Sequence, residues 1–196
     1  MKKNISLTIL LVFLISACGL AEIQPTFVPL TAVPPTVEPP TQAPQQSLSI
    51  LQSLPNAEYP IEITSTGKAQ LKDGIFEEPS APGSIAKTTV QLGNEQAFGD
   101  INGDGTEDIA TTLVADPDGS GTFIYLALII NYNGTAKPLD AVLLGDRIIV
   151  KSIMIQSESV VVTMLNRKSY ESMSAKPTVE GTRTFKLQSD KLIEMK

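Results

Sequence analysis

The sequence predicts a mainly all-β domain, an antiparallel meander forming a small sandwich or a curled barrel, with a short helix at its N-terminal side. Three observations carry that expectation. Thr-, Val- and Ile-rich apolar runs recur at 86–92, 108–115, 123–130, 141–144, 148–155, 160–165 and 182–187. Turn residues separate them, and no helix-length apolar period intervenes. Short polar connections join antiparallel neighbours, because a parallel pair needs a long crossover.

Each element has its own reason. Leu48, Ile50, Leu51 and Leu54, ahead of Pro55, space out one apolar face of a short amphipathic helix. Segments 86–92 and 108–115 are bounded by turn residues. Segment 123–130 reads Phe-Ile-Tyr-Leu-Ala-Leu-Ile-Ile, the unbroken apolar pattern of a strand buried on both faces, and it is too short to span a bilayer. Asp118-Gly119-Ser120-Gly121 precedes it, and Asn133-Gly134 follows as a type I′ hairpin signal. Leu144-Gly145-Asp146-Arg147 divides 141–144 from 148–155. In 182–187, Arg183, Phe185 and Leu187 share one face, opposite Thr182, Thr184 and Lys186. The connection 166–178 carries Arg167, Lys168, Tyr170, Met173 and Lys176, and reads as a mobile link or a recognition loop.

Composition excludes several chemistries. With no His there is neither a Ser-His-Asp nor a Cys-His triad, and no imidazole ligand. One Cys makes no internal disulfide and no multi-thiolate zinc site. A formal charge of -6 and a pI near 4.7 argue against nucleic acid as a partner.

The N-terminal region gives an address. Met1, Lys2 and Lys3 precede the apolar run 5–15, the layout of a signal peptide. Ile15-Ser16-Ala17-Cys18 then closely resembles the lipobox of bacterial lipoproteins. The resemblance implies a signal peptide over 1–17, acylation of Cys18, and anchoring of the mature chain to the cell membrane or outer membrane. One acyl chain holds only marginally and two or three hold stably, at about 0.8 kcal/mol per buried methylene. Gly19 stands where Asp commonly marks inner-membrane retention. Cleavage would leave 179 residues with 13 basic and 21 acidic side chains, a net -8. Such a surface repels anionic headgroups, so the lipid is expected to do the membrane binding. Residues 18–46 form the tether: seven of the 14 prolines lie there and Thr recurs every five residues, a PPII-rich spacer. Residues 47–196 form the β-rich extracytoplasmic domain.

One loop carries chemistry. Asp100, Asn102, Asp104 and Asp108 occupy positions 1, 3, 5 and 9 of a loop whose position 6 is Gly105. Hard cations want six to eight oxygens from a flexible loop, with a backbone carbonyl at position 7, here Thr106. Seven acids lie between 95 and 118, and no Lys or Arg between 87 and 137, so a counter-ion gives the crowding a reason. Position 12 is Thr111 and not a bidentate Glu, and strand follows, against a helix–loop–helix hand. The segment resembles the FG-GAP or VCBS repeat loop. That resemblance implies one structural Ca²⁺ on Asp100, Asn102, Asp104, the Thr106 carbonyl and Asp108. Propellers repeat the motif and this chain holds one copy, so the loop transfers and the propeller does not. The alternative is an Asx-rich turn that needs no metal.

More broadly, four marks resemble an uncharacterised bacterial lipoprotein family: Gly-Asp-x-Asn-Gly-Asp-Gly at 99–105, Gly-Ser-Gly-Thr-Phe at 119–123, Leu-Gly-Asp-Arg at 144–147 and Thr-Arg-Thr-Phe at 182–185. No activity comes with that resemblance. The expected function is that of a non-enzymatic, lipid-anchored binding or structural module with an envelope protein or glycan as partner. The alternatives are an inhibitor of a basic, lysozyme-type wall-degrading enzyme and a carboxylate-based envelope hydrolase. The hydrolase needs two converging acids outside the 100–108 loop. Glu77 and Glu78 do not supply them, since neighbours on a strand point to opposite faces.

Overall fold

The computed structural model describes residues 45–196 except Ser120, with side chains from Ser49 onward. The expected signal peptide, the lipidation site Cys18 and all but the last two tether positions lie outside the described residues. Gln45 and Gln46 belong to the first helix rather than to the spacer.

The order is α1 (Gln45–Ser53), a 3-10 turn (Leu54–Asn56), β1 (Glu58–Pro60), β2 (Lys68–Gln70), β3 (Ile75–Pro79), β4 (Lys87–Gly99), β5 (Asp108–Pro117), β6 (Phe123–Tyr132), β7 (Thr135–Asp146), β8 (Ile149–Gln156), β9 (Ser159–Asn166), β10 (Val179–Gln188) and β11 (Lys191–Met195). Every strand pair is antiparallel, and both larger sheets are meanders. β3-β4-β5-β6-β7 form a five-stranded sheet that curls as a half-barrel, β8 to β11 a four-stranded sheet, and β1-β2 a small hairpin. The fold class is all-β with a short helix, as expected.

β6 explains the layering. Its side chains alternate, as strand geometry requires. Tyr125, Ala127 and Ile129 enter one core with Ile50, Leu54, Tyr59 and Leu71. Leu126, Leu128 and Ile130 enter a second core with Val160, Val162, Met164 and Phe185. The five-stranded sheet is thus covered on one face by the helix and small hairpin and on the other by the four-stranded sheet. That settles the sandwich-or-barrel alternative as a sandwich with a curled member and an added apolar layer.

Two polar clasps close the sandwich along β7. Asp140 Oδ1 takes the Lys191 ammonium at 2.8 Å, and its Oδ2 accepts the Leu192 N–H at 2.8 Å. Arg183 donates to the carbonyls of Leu143 and Leu144 at 3.2 and 2.9 Å and forks onto Glu194 at 2.8 and 2.7 Å. Its guanidinium carbon also lies 5.0 Å from the Phe185 ring centroid, so Arg183, Phe185 and Leu187 do share the inward face. On the β4–β8 side the sheets touch through Gly99. A Cβ there would stand 2.8 Å from Ile155 Cβ, so only glycine permits the approach.

Several strands run further than the sequence indicates. β4 continues past Leu92 to Gly99 through a bulge at 93–95. β7 begins at Thr135 and holds Pro138 beside a register shift. Pro is tolerated there because β7 is an edge strand. β1, β2, β3 and β11 were not expected.

Candidate functional site: the 100–108 loop

The loop leaves β4 after Gly99 and rejoins the sheet at Asp108, which pairs with Gly99. It connects two strands, and β5 stands where a helix–loop–helix hand needs its second helix. Gly103 and Gly105 hold φ of +78° and +83°, reversals that glycine makes without a Cβ penalty. They fold backbone N–H groups inward. Asp100 Oδ1 accepts from Gly103 and Asp104 at 2.7 and 3.2 Å, and Oδ2 accepts from Gly105 at 2.8 Å. Asn102 Oδ1 accepts the Asp104 N–H at 3.0 Å, while Asn102 Nδ2 donates to Asp104 Oδ2 at 2.9 Å. Asp104 Oδ1 accepts the Thr106 hydroxyl at 2.5 Å and the Thr106 N–H at 2.8 Å. Thr106, above all through its hydroxyl, holds the Asp104 carboxyl below the usual carboxylate range.

Asp108 is fully buried. Its Oδ2 accepts the Ile101 N–H at 3.1 Å, and its Oδ1 accepts the N–H of Asn131 on β6 at 2.9 Å. Burial dominates and pushes its carboxyl up against the pull of those two N–H groups; the charges of Asp104 and Asp100 add to the rise. An acid held in this way is short of positive charge.

Two neighbours were missing from the sequence expectation. Asn131 is buried, receives the Thr106 hydroxyl on its carbonyl at 3.5 Å, and caps the β6–β7 turn by accepting the Gly134 N–H at 2.8 Å. Glu158, in the β8–β9 turn, brings Oε1 to 3.3 Å from where a Gly103 Cβ would lie. Both sit more than 20 residues from the loop in sequence, and no local pattern marks them.

The five expected ligand positions therefore lie in one loop, with a fourth carboxylate approaching from another sheet. Among the described residues no three acids close on a common point, and none of the ion pairs involves Asp100, Asp104, Asp108 or Glu158. The donor set is all hard oxygen. Asp100 Oδ2, Asp104 Oδ2 and both Asp108 oxygens each accept one hydrogen bond and keep a second lone pair, so the residues fit a hard cation that would draw them inward.

Elsewhere, carboxylates are dispersed. Glu77 pairs with Lys87 at 2.7 Å, and Glu78 accepts from the Ser65 N–H and hydroxyl at 2.7 and 2.6 Å. A groove of about 380 Å³ at the β4 bulge, between the sheets, has Glu95 as its one lining carboxylate, with Leu92, Ile124 and Val150. Three of the four sequence marks meet at the β7–β8 corner. Asp146 Oδ1 accepts the Thr122 N–H at 2.9 Å, the Arg147 N–H donates to the Thr122 carbonyl at 2.6 Å, and Arg183 reaches the carbonyls described above. Arg167 locks the 166–178 connection onto the same corner, donating to the carbonyls of Asp146 and Arg147 at 2.7 and 2.8 Å. No family model, curated protein or solved structure matches this chain.

Proposed function

We propose that the protein is a non-enzymatic, extracytoplasmic module, anchored to the membrane by lipid at Cys18 and binding or supporting an envelope protein or glycan. In this reading one Ca²⁺ is held by Asp100, Asn102, Asp104, the Thr106 carbonyl and Asp108. The observation that carries it is the loop: oxygen donors at positions 1, 3, 5 and 9 around two reversed glycines, with no basic side chain among the described residues paired to them. The ion would supply charge neutralisation and a cross-link between the β4–β5 connection and, through Asp108 and Asn131, β6. Extracellular modules of this kind bind at about 10⁻⁴–10⁻³ M, and at ten times Kd the ion adds roughly 1.4 kcal/mol by mass action.

Calorimetric titration of Ca²⁺ into the chelator-treated chain tests this, with Asp104→Ala alongside. One saturable event is expected, with a rise in melting temperature, and both vanish in the variant. No heat and no thermal shift at several millimolar Ca²⁺ would leave an Asx-rich turn that closes by its own N–H bonds.

A further inference from the structure

The β7–β8 corner holds a second site, independent of the calcium reading. We propose that it binds a phosphate group through Arg147, Arg167 and Lys176. These three cations line a cavity of about 550 Å³ whose other walls include Met173, Ala175 and Pro177, and no carboxylate among the described residues lines it.

Charge at the corner is unbalanced. The segments 144–147 and 166–178 that build it hold four cations, Arg147, Arg167, Lys168 and Lys176, and two acids, Asp146 and Glu171. Glu171 is taken by Lys168 at 3.6 Å, and Asp146 touches Arg147 Nη1 at 3.2 Å while its other oxygen serves Thr122. The Arg167 bonds all go to neutral acceptors: three carbonyls and, at 3.9 Å, the Met173 sulfur. Neutral acceptors fix the fork in place without cancelling its charge. Among the described residues, neither Arg167 nor Lys176 has a carboxylate partner.

The corner is also built stiffly. Arg147 stands at φ +48°, a left-handed conformation that strains a residue with a Cβ and that glycine adopts freely. The 2.6 Å bond to Thr122 holds it there. With the Arg167 Nη groups bonded to their neutral acceptors and Arg147 Nη1 to Asp146, the Arg167 Nε–H, the Arg147 Nη2 and Nε donors and the Lys176 ammonium remain for an anion. Donors from three side chains suit a tetrahedral oxyanion with three free oxygens better than a carboxylate with two, and the apolar wall leaves room for the small organic part of a phosphate ester. The wider field agrees: residues 147–196 carry nine basic and five acidic side chains, against four and 14 in 45–146.

The phosphate has two sources, a soluble ester or the headgroup of an anionic lipid. The test uses the full chain with Cys18→Ser, so that no acyl chain holds it to a bilayer. In the first arm, inorganic phosphate is titrated while the Nε–H resonances of Arg147 and Arg167 and the backbone N–H of Lys176 are followed. In the second, binding to phosphatidylglycerol vesicles is compared with phosphatidylcholine vesicles. Saturable shifts at millimolar phosphate are expected, not reproduced by sodium chloride of equal ionic strength, and weakened at least about tenfold by Arg147→Gly or Lys176→Gln. Arg147→Gly suits the positive φ and is expected to melt no lower than the parent, which separates lost binding from lost folding. Phosphate shifts without a phosphatidylglycerol excess assign a soluble ester; a phosphatidylglycerol excess lost in Arg147→Gly assigns a headgroup. Silence in both arms, or a response that survives both substitutions or is matched by chloride, overturns the site.

Discussion

Tyr59 is wholly buried in the first core, and its hydroxyl donates to the Leu54 carbonyl at 3.0 Å. Burial pushes its phenol far above the ordinary value. A folded-state pKa above the unfolded one contributes stability that is complete below the unfolded value, about 10, and is lost as pH rises beyond it. Denaturant melts across the alkaline range should therefore show stability falling above about pH 10. Tyr59→Phe should cost about 1 kcal/mol at neutral pH for the lost hydrogen bond while making that alkaline limb shallower; an unchanged limb would show that the phenol ionises without unfolding. Tyr125, also raised by burial and then by the Glu62 charge, keeps part of the slope in the variant. Residue roles of this kind were unevenly legible. The spacing of Asp100, Asn102, Asp104 and Asp108 could be read directly because the ligand pattern is local. The bond from Asn131 to Asp108 could not, because 23 residues separate them.

Elements with strong local signals emerged from the sequence, and those without did not. The Asn133-Gly134 turn has φ of +52° and +84°, the type I′ geometry its residues prefer. The turns at Ser157-Glu158 and Ser189-Asp190 have the same reversed sign at both positions, at +49° and +54° and at +48° and +62°, yet neither contains glycine. The apolar runs 148–155 and 160–165 separated β8 from β9 all the same, whereas β11 is five residues of mixed polarity with only Leu192 buried, and nothing set it apart from β10. β1, β2 and β3 are three, three and five residues long and mixed in polarity, too brief to show a period. β4 read as ending at Leu92 because Gly93-Asn94-Glu95 resembles a turn, whereas it is a bulge that the sheet continues beyond. The bulge depends on glycine. A Cβ on Gly93 would stand 1.9 Å from Thr112 Oγ1 and 3.0 Å from the Thr112 carbonyl oxygen, and that hydroxyl is itself bonded to Glu95 at 2.9 Å. Gly93→Ala should cost about 1–3 kcal/mol by overpacking, read as a lower denaturation midpoint; a neutral result would mean that β4 slides freely at the bulge.

At the scale of the whole molecule, one sheet serves two cores. Ile129 and Leu128 are adjacent on β6 and point into opposite cores. Truncating either to Ala should cost about 2–5 kcal/mol, and tyrosine fluorescence and far-UV circular dichroism should still report a single coincident transition, because neither core survives loss of their common wall. Two separated transitions would show that the layers unfold independently. The unbroken apolar run of β6 announced burial on both faces, but not what covers each face. That depends on the chain changing sheets between Asp146 and Ile149, a matter of long-range packing. The same run has a cost while the chain is still unfolded. Residues 123–132 contain no charge and no proline and are rich in strand-favouring Ile, Phe and Tyr, the composition of segments that stack into cross-β aggregates. In the native state β5 and β7 occupy both of its edges. A newly made chain lacks that cover, and the quickest protection is local: the two-residue Asn133-Gly134 turn brings β7 alongside with little loop-closure entropy. The hairpin that shapes the sheet also shields its most adhesive strand.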